Sequence, residues 1–116
     1  MTLTLISACE HLAFGEPVIL EPAASQPPAL ARVAHSQALV DGRGDVGVWE
    51  CTPGQFKRQV RQAEYSYIVS GEGCFTPDGG EPVYFSAGDV LYFTADTLGV
   101  WDIRSTVRKT YMILAQ

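Results

Sequence analysis

From Val46 onward, short runs of β-branched and aromatic residues return about every ten positions, each cut off by glycine or proline. "VGVWEC" stops at the turn "TPG", Thr52–Gly54. "QFKRQVR" sets Phe56, Arg58 and Val60 against Lys57, Gln59 and Arg61, the period of two of a half-exposed strand. "YSYIV" gives way to "SGEG", and "CFTPDGGEPVYF" reads as a hairpin turning at Pro77–Gly80. "VLYFTA", "LGVWDI" and "VRKTYMILA" complete the series. Strands this short cannot be buried singly, and their spacing predicts a sandwich or barrel. No amphipathic helix of ordinary length competes with this reading. The expectation is an all-β, antiparallel jelly-roll barrel with strands near 46–51, 55–61, 65–70, 73–76, 82–85, 90–94, 98–104 and 107–114.

Residues 1–40 lack that rhythm. "EPAASQPPALARVAHS" carries Pro22, Pro27 and Pro28, each of which fixes φ and removes a backbone donor, so a long helix is excluded there. This segment is expected to be an irregular N-terminal arm lying across a barrel domain at 41–116. "ALARVAHSQALV" supplies it with one or two strands. At 116 residues the chain suits one domain with a real core. A net charge of −5 argues against a surface built for nucleic-acid phosphates, and no apolar run is long enough to cross a bilayer. The start, "MTLTLISACEHLAFGEP", lacks the basic opening of an export signal and includes Glu10 and Glu16, which predicts a cytoplasmic location. Cys9, Cys51 and Cys74 are odd in number, without CxxC spacing, as expected of free thiols in a reducing compartment.

Taken in order, "VWECTPGQF", "EYSYIVSGEG", "TPDGG", "AGDVLYF", Trp101 and "VRKTY" resemble the cupin superfamily. More narrowly, they are similar to small single-domain cupins related to ethanolamine-utilisation and ureidoglycine-aminohydrolase proteins. Pro53–Gly54 and Glu64 followed by Gly71 match the first cupin motif, and Gly88–Asp96 the start of the second. The resemblance implies the jelly roll, and for metal-binding members two histidines and a glutamate in the first motif with one histidine in the second. Of that set only Glu64 carries over. The histidine pair falls near Arg58 and Val60 or one residue to either side, where every candidate from Lys57 to Gln62 is a non-ligand or a poor one, and the last histidine falls at Gly99. One carboxylate does not make a transition-metal site, so no metal and no cofactor are expected. The chain's two histidines, His11 and His35, lie outside the motifs, and whether the arm brings His35 to the barrel mouth is left open.

Glu64 has two readings. It anchors a substrate or acts as general base, or it pairs structurally with Arg58 or Arg61 across neighbouring strands. Either reading needs a cation beside it, because a carboxylate does not stay ionised alone in an apolar interior. The expected pocket lining is Arg58, Glu64, Tyr92, Trp101 and Trp49, with both tryptophans also candidates for plain core. Arg108 and Lys109 either balance acidic groups near the pocket or sit on a solvated strand face. Tyr65, Tyr67 and Val69 alternate with Glu64 and face away from it; they are expected to form a homodimer interface or to be covered by the arm. The expected function is binding of a small polar or anionic metabolite in a metal-free pocket. The alternatives are a small-molecule enzyme, hydrolase- or isomerase-like, with Glu64 as general acid/base, and an accessory subunit whose barrel only packs.

Overall fold

A computed structural model of the chain describes residues 3–9 and 11–116. They form eight strands and one short 3-10 turn at Val40–Gly42. The strands are β1 (Val18–Ile19), β2 (Leu30–Ala38), β3 (Gly44–Cys51), β4 (Gly54–Val60), β5 (Glu64–Pro77), β6 (Val83–Ser86), β7 (Val90–Phe93) and β8 (Thr97–Leu114). All pairings are antiparallel. No helix among the described residues is long and apolar enough to cross a membrane.

β5 and β8 are the longest strands, and each serves two layers. The first half of β5 pairs with β7 and with the second half of β8, which continues onto β3, β2 and β1. The second half of β5 pairs with β6 and with the first half of β8, which continues onto β4. The two strands therefore fold from one layer into the other, giving an open jelly roll. Sequence reasoning split each of them in two, at 70–73 and at 104–107. The "SGEG" segment does not turn the chain back. Its pairing with β8 instead shifts register between Ile68 and Ser70, again before Glu72, and again before Gly73. These are bulges, which bend and twist a strand without ending it. Gly71 sits in the bend at φ +89°, where a Cβ would collide with the Thr106 carbonyl oxygen.

The arm is more integrated than a covering segment. Its strand β2 pairs with β3 and extends that layer, and β1 adds to its edge. Upstream, Leu12 is buried with Ala34 and Val48, and Ile6, Ala8 and Phe14 pack beside them on the layer's outer face. Charge pins this contact. Glu50 receives hydrogen bonds from Arg32 and Arg108, each at 3.0 Å from Nε. Arg108 also donates to the Ala8 carbonyl at 2.9 Å, and both guanidinium groups lie over the Phe14 ring, at 4.1 and 5.3 Å. Between the layers the core is aromatic. Trp101 lies 5.1 Å from Phe75, 5.6 Å from Phe93, 5.8 Å from Phe85 and 5.9 Å from Trp49.

Candidate functional site

The aromatic core fills one end of the space between the layers. At the other end a cavity of about 490 Å³ remains. The strand alternation that buries Phe56 on β4 carries Arg58 and Val60 to the same side, and both line the cavity. Glu64 opens β5, with Ser66 and Ile68 following it inward while Tyr65 and Tyr67 point out. On β8 the inward positions near the cavity are Lys109, Tyr111 and Ile113. Register brings them together: β8 pairs Lys109 with Trp49 of β3 on one side and with Ile68 of β5 on the other.

The partner of Glu64 is therefore Lys109, not Arg58 or Arg61 of the neighbouring strand. Lys109 Nζ lies 2.6 Å from Glu64 Oε2, and the fully buried Ser66 hydroxyl donates to the same oxygen at 2.7 Å. Lys109 is only 5% exposed, so it is not on a solvated face. Its ammonium is caged by rings, 4.8 Å from the Trp49 centroid, 5.1 Å from Trp101 and 6.0 Å from Phe93. Such cation–π contacts, with the carboxylate, offset part of the desolvation of a buried charge. Burial nevertheless holds the ammonium below the ordinary lysine range, Glu64 opposes that shift, and nearby Arg58 adds to it. Glu64 Oε1 takes no hydrogen bond from the described residues and is not sealed in the core, so it opens to the cavity.

Tyr111 is half-buried in the same wall. Burial is the main cause that raises its phenol pKa, and the nearby Ser36 side chain opposes that shift. Gly47, opposite it on β3, makes room: a Cβ there would stand 2.5 Å from the Tyr111 hydroxyl. Beneath the site Cys51 is buried, its thiol pushed up to about 12 by desolvation. Cys9, Cys51 and Cys74 are all free.

Of the residues expected to line a pocket, Arg58, Glu64, Trp49 and Trp101 meet around this cavity. The two tryptophans belong to wall and core at once. Tyr92 does not join them. It is 64% exposed and pairs with outward-facing Tyr65, so its hydroxyl points away from the interior. His35 does not line the cavity either; it is exposed, at the irregularity where β2 shifts register on β3. Ser66 and Tyr111 were missed as site residues, and Lys109 was weighed only as a charge near the pocket or on a solvated face; the one available signal was the parity of "VRKTYMI", which puts Lys109, Tyr111 and Ile113 on one face.

The metal set of cupins does not fit this wall. Arg58 pairs directly with Gly99 across β4 and β8, so two of the three histidine positions are neighbours here and neither offers a ligand atom. The space a Gly99 side chain would take is occupied by the Phe75 ring. The surviving carboxylate is engaged by an ammonium group. Among the described residues, no group of three His, Cys, Asp or Glu is placed to hold an ion.

Comparison with known proteins agrees with this architecture. The structure superposes on the EutQ protein of Clostridium difficile with a TM-score of 0.66 at 16% identity, covering 77% of this chain and 71% of that one. A Pseudomonas syringae protein of unknown function from the DUF861 family gives a TM-score of 0.78 at 20% identity, over 93% of this chain and 46% of the other. A Thermotoga maritima protein described as a predicted oxalate decarboxylase gives 0.71 at 15% identity, over 97% of this chain and 100% of the other. At these identities the likeness is one of fold. No curated protein matches the chain. Residues 40–111 match the family model for the EutQ-like cupin domain, and the chain belongs to that family.

Proposed function

We propose that the chain is a small-molecule-binding cupin that takes a small anionic metabolite into a metal-free cavity. The observation that carries this reading is Arg58. It lines the cavity and has no ion-pair or hydrogen-bond partner among the described residues; Arg43 and Arg61 are likewise unpaired there but lie outside the cavity, and Arg32, Arg104, Arg108 and Lys109 are each engaged by a carboxylate. A carboxylate is the natural complement of an unpaired guanidinium fork. Trp49 and Trp101 supply apolar walls for the rest of the ligand, and Glu64 Oε1 an acceptor for a hydroxyl or amide donor. Glu16, on the exposed arm at the cavity mouth, is an opposing charge and favours ligands with one anionic group over those with several.

The test is titration of the intrinsic fluorescence with a series of small mono- and dicarboxylates. Trp49 and Trp101 are the chain's two tryptophans, and both line the cavity, so the signal comes from the site. We expect saturable quenching by a monocarboxylate, weakened about tenfold or more in Arg58→Gln, the loss of one charge-assisted hydrogen-bonded contact. Identical titrations for the two proteins would sink the reading. The same preparation is expected to carry no stoichiometric transition metal; about one equivalent of Mn, Fe, Ni or Zn, lost on mutating Glu64, would overturn that part.

A second reading, enzyme rather than binder, is favoured by the open Oε1 of Glu64, positioned by Ser66 and Lys109 as a general base is held by its neighbours. Turnover lost in Glu64→Gln with binding retained would establish it. With either reading we propose a cytoplasmic protein, on the strength of its three free cysteines, that pairs two-fold through the exposed Tyr65, Tyr67 and Tyr92.

A further inference from the structure

A lysine that is paired with a carboxylate inside a protein is ordinarily sealed there. This one forms part of the wall of an open cavity, between two tryptophans, beside an oriented glutamate and within the field of an unpaired arginine. Resting on the anion-binding reading above, we infer that Lys109 is a carbonyl-reactive amine that condenses with a small 2-oxo acid whose carboxylate lies on Arg58, with Glu64 carrying the protons.

The geometry supplies each part of the step. Lys109 Nζ passes a proton to Glu64 Oε2, 2.6 Å away, and its lone pair then attacks the carbonyl carbon. The carbonyl oxygen takes that proton from Glu64, which gives a carbinolamine. A second proton leaves the nitrogen through Glu64 to the same oxygen, the C–O bond breaks, and water departs. Lysine ammonium and 2-oxo acid thus become a protonated imine and one water, with no oxidant and no change in net charge. The product cation lies among the rings that surrounded the ammonium, so the cage stabilises both ends of the reaction. Burial, which holds the ammonium below the ordinary lysine range, favours the neutral amine that must form first.

The chain is well suited to a direct test, because Lys57 is its only other lysine and is exposed. The full chain is incubated with pyruvate and sodium cyanoborohydride, and the reduced adduct is located by peptide mass mapping. Lactate, which has the carboxylate but no carbonyl, is the competitor. The expected result is labelling at Lys109 well ahead of Lys57, slowed by lactate at Lys109 alone. Labelling in Glu64→Gln should be slower by about a hundredfold, the scale of a lost general acid–base group. Equal labelling of the two lysines, or labelling at Lys109 that lactate does not slow, overturns the inference whether or not the variant folds. If pyruvate quenches the tryptophans and no adduct forms, the inference fails and the binding reading stands. If neither pyruvate nor lactate binds and no adduct forms, both fail.

Discussion

At the scale of single residues, the chemistry of this chain is concentrated in the contact between Glu64 and Lys109. Removing one member of a buried pair leaves the other charge unsatisfied, and Glu64→Gln is expected to cost about 3 kcal/mol near neutral pH. The pH dependence has a definite sign. Lys109 in the folded chain loses its proton below the ordinary value of 10.5, so the unfolded chain binds more protons in the alkaline range and stability rises with pH there. Glu64 is what opposes that shift, so its removal widens the window, and the loss in Glu64→Gln should shrink as pH climbs towards 10.5. Urea unfolding of both proteins at about pH 7 and about pH 9.5 measures it; an equal loss at the two values would mean that the deficit is not a buried ammonium. Glu64 was legible in the sequence because its distance from Gly71 is a motif spacing. Lys109 was not, because it is 45 positions away and reaches Glu64 only through the register of β5 on β8, which strand alternation does not determine. The nearby arginines were the plausible partners on sequence distance alone, and one of them, Arg58, is left to face the cavity instead.

The strands show a similar division between what local pattern carries and what pairing decides. Every run of β-branched and aromatic residues after Val46 is a strand, because such residues pack well on a pleated, half-buried surface. What local pattern concealed was continuity. Glycine-rich "SGEG" looks like a turn, yet the long partner β8 holds both sides of it, so the same glycines serve a bend within β5. Gly71→Ala should therefore cost about 3 kcal/mol or more, since it adds strain at φ +89° to a collision with the Thr106 carbonyl. Gly79 is the control: its φ is +72°, but nothing lies within 4 Å of its missing Cβ, and Gly79→Ala should cost about 1 kcal/mol. Thermal melts that rank the two equally would remove steric closure at the bend as the reason for Gly71. Tyr92 illustrates the converse limit. Its strand was read correctly, but which of its faces turns inward is fixed by the pairing of Tyr92 with Tyr65 across β7 and β5.

For the molecule as a whole, the described arm buries Val48 and Ala34 and leaves the adjoining outer face uncovered. Tyr65, Tyr67, Val90 and Tyr92 stand exposed there in two cross-strand pairs. An apolar patch of this kind is what a two-fold contact covers, and light scattering should report about twice the monomer mass of 12.6 kDa. Tyr67→Lys should shift the protein to monomer; a wild-type monomer at micromolar concentration would refute the dimer. The path of β8 has a separate consequence, for the order of assembly during synthesis. β3, β4 and β5 all find a partner in β8, and apart from the β2–β3 hairpin and the short additions of β6 and β7, neither layer has a centre without it. A nascent chain lacking residues 97–114 therefore presents unpaired strand edges and an open aromatic core, the condition in which chains associate wrongly. Native pairing of β3, β4 and β5 is therefore expected only after those residues emerge from the ribosome, which puts folding late in synthesis. Shielding by a chaperone should matter most in the interval before β8 appears.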